Sequence, residues 1–205
     1  MHGGSQLRLG RVGIAYPTFV KLVKTKAELR RSLLKTRASI PQAEWREKSD
    51  RICNHLQSSP LFTSAQTILA YFSFRGEPDL SFLFTNYQRW GFPRCVGESL
   101  NWHIWKPGDS LQAGAYGILE PYLDAPILPS TEVDLILVPA VACDYQGYRL
   151  GYGGGYYDRL FSSANWATKP AIGIVFEFAY FQQLPINLWD KPLQGICTET
   201  SLKMI

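Results

Sequence analysis

One stretch of the chain concentrates groups that can hold an anion: Arg149-Leu150-Gly151-Tyr152-Gly153-Gly154-Gly155-Tyr156-Tyr157-Asp158-Arg159. Four glycines in five positions free the backbone to take positive φ and to approach a ligand closely. Successive N–H groups in such a loop can converge into an anion-binding concavity. Residues from Tyr156 onward can start a helix, whose N-terminus adds positive potential at the same place. Arg149 and Arg159 bring full charges, and Asp158 could hold a divalent ion beside phosphates. The loop matches neither familiar phosphate motif. G-x-x-x-x-G-K-[ST] needs Lys and Ser/Thr where Tyr156-Tyr157 stand, and G-x-G-x-x-G counted from Gly151 fails at Tyr156. On spacing alone, anion binding and a merely tight structural turn both stay open.

Other groups stand further off. Lys26 and Arg30 are one helical turn apart, so both cations can face one ligand; the plain alternative is a solvated basic helix face. Glu77 follows a glycine and precedes Pro78. Its carboxylate can accept two N–H donors side by side, or it is a turn residue. Asp190 sits in a turn between Trp189 and Lys191-Pro192. Cysteines stand at 53, 95, 143 and 197 with no C-x-x-C pair, and His2, His55 and His103 do not cluster with them. A zinc site has no support, and Cys143 reads as a packed thiol. Scattered reduced thiols point to the cytoplasm.

These residues need elements to position them. Leu29, Leu33 and Leu34 share a helical face from Lys24 onward. Ser39-Ile40-Pro41-Gln42 restarts a helix with capping-box spacing, carried on by Trp45, Ile52 and Leu56. Residues 67–74 form a continuous apolar run, as in a strand buried on both faces. Leu80, Leu83, Phe84, Tyr87 and Trp90 predict a helix that Gly91 stops, and residues 92–96 a returning strand. Residues 101–105 predict an edge hairpin strand, 133–138 and 171–176 buried strands, and 156–164 a short helix. Alternating strands and helices argue an α/β fold: a mostly parallel sheet with helices on both faces, a three-layer, Rossmann-like open sheet.

The chain has 205 residues, 46% hydrophobic, 14% aromatic and 19% charged, with net charge +4, which excludes a largely disordered chain. No apolar run approaches the ~20 residues of a membrane span. Residues 1–40 carry nine Lys/Arg against one acid, Glu28, leaving a mildly acidic body. Residues 1–23 are expected to be a flexible or extra N-terminal segment, and 24–205 a single domain. The basic excess at one end does not mark a face of the body, so no nucleic-acid partner is expected. The alternatives weighed are another phosphate-binding α/β enzyme, such as a sugar-phosphate isomerase, and a non-enzymatic nucleic-acid binder.

Residues 134–144, then Gly147, Arg149-Leu150-Gly151 and Gly153-Gly154-Gly155-Tyr156-Tyr157-Asp158, resemble the 5-formyltetrahydrofolate cyclo-ligase family, also called methenyltetrahydrofolate synthetase. Lys26-x-x-x-Arg30, Glu77, residues 116–121, Ile172-Gly173-Ile174, Leu184-Pro185, Trp189-Asp190 and Thr198-Glu199 agree in order, so the likeness spans about residues 24–200. The resemblance implies ATP-dependent cyclisation of 5-formyltetrahydrofolate to 5,10-methenyltetrahydrofolate with release of ADP and phosphate. The formyl oxygen would be phosphorylated and N10 would then close the ring. It also implies residue roles. Lys26 and Arg149 would be catalytic. ATP would lie on Lys26, Arg30, Arg149, Leu150, Gly151, Tyr152, Gly153, Gly154, Gly155, Tyr156 and Tyr157. The folate would meet Phe72, Glu77, Tyr116, Tyr152, Gly154 and Tyr156, and Asp158 and Asp190 would hold Mg2+. The expected partners are these two small molecules, with no membrane, on a monomer. At Tyr152 some members carry Arg, which throws more of the phosphate charge onto Arg149 and Lys26.

Overall fold

Residues 25–205 are described by a computed structural model; the expected N-terminal segment, residues 1–23, lies outside the described residues. Helix α1 (Lys26–Ala38) begins at a capping box. The Thr25 hydroxyl accepts from the Glu28 N–H, and the Glu28 carboxylate accepts from the Thr25 N–H at 2.8 Å. Ser39 serves the other end instead, donating to the Thr36 carbonyl, and α2 (Gln42–Gln57) starts from Pro41 without a side-chain cap. The expected box at Ser39 is therefore corrected. Helix α3 (Pro60–Ser64) and α4 (Tyr156–Ser162) complete the helices.

The strands in chain order are β1 (Thr67–Leu69), β2 (Arg89–Val96), β3 (Ser99–Ile104), β4 (Leu111–Ala113), β5 (Leu119–Pro121), β6 (Leu135–Pro139), β7 (Ala142–Asp144), β8 (Arg149–Leu150), β9 (Ala171–Ile174), β10 (Tyr180–Phe181), β11 (Gly195–Cys197) and β12 (Leu202–Met204). Seven form one sheet in the order β12-β11-β9-β6-β1-β2-β3. Its five inner strands are parallel, and β3 and β12 close the edges antiparallel.

Strand β6 shows why its sequence is unbroken apolar. Ile136 and Val138 enter one core with Leu33 of α1 and Leu160 and Phe161 of α4. Leu135 and Leu137 enter the other with Ile52 and Leu56 of α2 and Phe62 of α3. Both sheet faces are covered, so both sets of alternating side chains must be apolar. Among the described residues no helix is long and apolar enough to cross a membrane.

The helix expected over residues 80–90 is not formed. Ser81–Thr85 make a short 3-10 turn tied down by the Asp79 carboxylate, which accepts from the Ser81 N–H. The chain is extended at Asn86, and Trp90 and Gly91 belong to β2. Gly91 is a close approach inside a strand: a Cβ there would lie 2.5 Å from Leu69 Cδ2 and 2.7 Å from Leu128 Cδ2.

Strand β1 pairs on one side with β2 and on the other with β6. The chain reverses its direction of travel across the sheet there. Such a switch point opens a crevice at the carboxyl ends of the two strands. Residues 70–77 leave β1 into that crevice, and Ala140 leaves β6 into it.

Candidate functional site

The glycine loop is delivered to this crevice by a small three-stranded sheet, β10-β7-β8. Asp144 at the end of β7 is fully buried and shapes the return. Its carboxylate accepts from the N–H groups of Gln146 (3.0 Å), Tyr148 (2.9 Å) and Leu184 (2.9 Å). Arg149 and the buried Leu150 then pair with Cys143 and Ala142. Beyond them, Gly153 (φ 110°) and Gly155 (φ 69°) hold left-handed backbone that a side chain would strain. Two arginines clamp the loop carbonyls. Arg30 Nε donates to Gly151 O at 2.8 Å, and Arg159 Nη2 donates to Gly154 O at 2.8 Å.

Charge is paired across this half of the crevice. Arg149, nearly buried, donates to Asp158 at 2.6 Å and to the Lys191 carbonyl at 2.7 Å, with its guanidinium over the Phe161 and Tyr157 rings. Lys26 forms an ion pair with Asp190, which also accepts from the Asn187 N–H at 2.7 Å. Lys26, Arg30, Arg149, Asp158 and Asp190 are thus brought together although they span 164 residues of sequence. Asp158 and Asp190 each present only oxygen donors, and one oxygen of each meets no protein donor among the described residues. Two such carboxylates plus phosphate oxygens and water suit a hard divalent ion.

The other half is built on Glu77. It is 3% exposed, and its Oε2 accepts from the Phe74 N–H at 3.1 Å. Arg37 lies with Nη1 4.0 Å from Glu77 Oε1. The same guanidinium donates to the Tyr152 hydroxyl at 2.8 Å and to the Ala140 carbonyl at 2.6 Å. Burial pushes the Glu77 carboxyl up to about 7, against the pull of Arg37, the Phe74 N–H and Tyr152. Burial likewise raises the Tyr152 phenol well above its ordinary range, so it stays a neutral donor.

Sequence reasoning missed Arg37. It follows Lys26 by eleven residues and Arg30 by seven, so all three lie on one face of α1. That spacing was the signal. Phe72, expected at the folate, stacks on Phe92 (centroids 4.1 Å apart) and meets Trp105 and Phe84 edge-on. Phe74 is the ring near Tyr152, at 6.3 Å. Tyr116 is 70% exposed, and the Tyr156 hydroxyl donates to Gly97 O at 3.2 Å. Cys143 is buried, and burial raises its thiol far from a nucleophilic range, as a packed thiol requires.

An open α/β sheet with a cation-lined glycine loop and a buried carboxylate at its switch point defines a class of anion-handling α/β proteins. The chain belongs to the 5-formyltetrahydrofolate cyclo-ligase family, whose model matches residues 23–199. It is similar to the 5-formyltetrahydrofolate cyclo-ligase of Escherichia coli K12, 30% identical over 178 residues that cover 81% of this chain and 95% of that one. The enzyme of the same name from Mycolicibacterium smegmatis is 31% identical, covering 85% and 94%. The solution structure of Aquifex aeolicus 5,10-methenyltetrahydrofolate synthetase superposes with a TM-score of 0.78 at 32% identity, covering 87% of this chain and 92% of that one.

Proposed function

We propose that this chain converts 5-formyltetrahydrofolate and ATP to 5,10-methenyltetrahydrofolate, ADP and phosphate, as a folate-dependent ligase of one-carbon metabolism. The observation that carries this reading is the convergence, at one switch point, of a carboxylate suited to a pterin edge and a clamped glycine loop lined by paired cations. The formyl oxygen attacks the terminal phosphorus of ATP, and ADP leaves. N10 then attacks the activated carbon, loses its proton, and phosphate departs as the ring closes. A formamide oxygen is a poor leaving group until it is phosphorylated, so the protein's task is positioning and charge neutralisation.

The residues divide that task. The loop from Gly151 to Tyr157 cradles the phosphates, held in shape by Arg30. Arg149 and Lys26 neutralise charge passing to the leaving group, exchanging their present carboxylates for phosphate oxygens. Asp158 and Asp190 would hold Mg2+, which would supply neutralisation and orientation of the phosphates. Glu77 accepts two N–H donors of the aminopyrimidinone edge, with Phe74 and Tyr152 closing around it; Tyr116 and Tyr156 stand at the rim. On this reading the working unit is one chain, and the four free cysteines suit a reducing compartment.

The test is direct. Purified chain mixed with 5-formyltetrahydrofolate and MgATP should develop the methenyl-folate absorbance together with ADP. A folded chain that gives neither product above a folate-free control overturns the reading.

A further inference from the structure

Among the described residues, Arg37 is the guanidinium that reaches both halves of the crevice. Its Nη1 reaches the hydroxyl of Tyr152, a glycine-loop residue, at 2.8 Å and lies 4.0 Å from Glu77 Oε1. Its Nη2 is anchored on the Ala140 carbonyl at the end of β6, at 2.6 Å. Only 3% of the residue is exposed, so no water layer separates these contacts. The Tyr152 hydroxyl accepts from Arg37, and the same Nη1 lies 4.0 Å from Glu77 Oε1, so one guanidinium spans the hydroxyl and the carboxylate. Tyr152 lies between Gly151 and Gly153, whose φ is 110°, so its position is set by the loop.

We propose that Arg37 is a positioning residue that couples the two substrate subsites, joining Glu77 to the glycine loop through the Tyr152 hydroxyl. The inference rests on the proposed folate and ATP subsites and adds a linkage between them. A phosphate drawing on the loop shifts Tyr152, and Tyr152 together with Arg37 sets where the Glu77 carboxylate points. Filling one subsite therefore prepares the other. Linkage makes the effect reciprocal: each ligand tightens the other by the same factor. Arg37 does this because its planar fork serves two acceptors with one orientation, which an ammonium cannot do.

The experiment is calorimetric titration of 5-formyltetrahydrofolate with and without saturating Mg2+ and the β,γ-imido analogue of ATP. The unsubstituted chain should bind the folate about 5- to 150-fold more tightly when the nucleotide analogue is present, the usual span of such coupling. Tyr152→Phe keeps the ring and removes only the linking oxygen; its coupling factor should fall to within about twofold of unity in a chain that still folds cooperatively. Arg37→Lys should regain folate affinity relative to Arg37→Met but not the coupling. If the Arg37 variants do not fold, Tyr152→Phe decides alone. An equal coupling factor in Tyr152→Phe and the unsubstituted chain, or no coupling in either, overturns the inference. Failure of the unsubstituted chain to bind folate or nucleotide at all overturns instead the functional reading on which it rests.

Discussion

The two halves of the crevice handle charge in opposite ways. In the glycine-loop half each carboxylate meets a cation at contact distance, Asp158 with Arg149 and Asp190 with Lys26, and one member of each pair, Asp158 and Lys26, keeps access to solvent. In the other half Glu77 is shut in, its cation is 4.0 Å away, and burial dominates. The first arrangement stores charge that an anionic ligand and a divalent ion can take over by exchange. The second holds a carboxyl near neutrality that gains partners only when N–H donors arrive. Ligand binding in the first half should therefore follow charge and salt, and in the second half pH.

The largest effect expected from breaking this contrast is at Arg149. Its guanidinium is held over two rings and between Asp158 and the Lys191 carbonyl, which fixes its charge in place. Arg149→Ala should lower kcat/KM for ATP by about 10²–10³-fold, the cost of losing one preorganised donor to developing charge. Arg149→Lys should recover only part, since the fork is lost. Steady-state kinetics with varied ATP read this out; full activity in Arg149→Ala would remove the residue from the reaction.

Next comes the pH dependence of stability, which sharpens the description of Glu77. Its folded carboxyl titrates at about 7, against an ordinary 4.5. The folded chain thus binds the proton more tightly than the unfolded one. Stability from this proton is complete below about 4.5 and is lost as pH rises to about 7. The loss is on the order of 3 kcal/mol. Denaturant unfolding across that range should show the decline in the unsubstituted chain and a flatter profile in Glu77→Gln. Parallel profiles would mean that Glu77 is solvated in solution.

The same substitution tests the ligand. Glu77→Gln places a donor where one acceptor oxygen stood, and an unmatched buried donor costs about 1–3 kcal/mol. Folate affinity should fall roughly 5- to 150-fold, with ATP affinity in the absence of folate little changed. Equal losses for both ligands would erase the distinction between the halves.

What the sequence displays and hides follows the same physics. The apolar runs of β6 and β9 were legible because strands covered on both faces admit no polar residue. The glycine loop was legible because positive φ at Gly153 and Gly155 restricts residue type. Strands of two or three residues, such as β8 and β10, are too short to carry a pattern and are held by distant partners such as Asp144. Trp90 and Gly91 misled because helical spacing from Leu80 happened to reach them, while the packing of Leu69 and Leu128 that demands a glycine is visible only in three dimensions. Arg37 was hidden by the ordinary expectation that an arginine on a helix faces water. Its burial depends on Ala140 and Tyr152, more than a hundred residues away.

The smallest of these effects is at Lys26, and it isolates the exchange idea. Its side chain is 24% exposed and rests on Asp190, which keeps a second partner in the Asn187 N–H. Removing the ammonium leaves Asp190, whose side chain is 8% exposed, with the Asn187 N–H as its donor, so Lys26→Ala should lower thermal stability without ligand slightly and leave the chain folded. What it loses is a cation able to move from Asp190 to a phosphate, a partly solvated contact of about 1.5 kcal/mol, which is roughly tenfold in the KM for ATP. Lys26→Arg should recover part of that, because charge returns without a compact ammonium. Lys35 lies nine residues along the same helix and is exposed, so Lys35→Ala is the matched loss of charge away from the crevice and should change nothing. Raising the salt should narrow the gap between Lys26→Ala and the unsubstituted chain, since a contact open to water is screened. If Lys26→Ala and Lys35→Ala give the same KM for ATP, the Lys26–Asp190 pair is a surface ion pair, and the exchange must be carried by Arg149 and Asp158 alone.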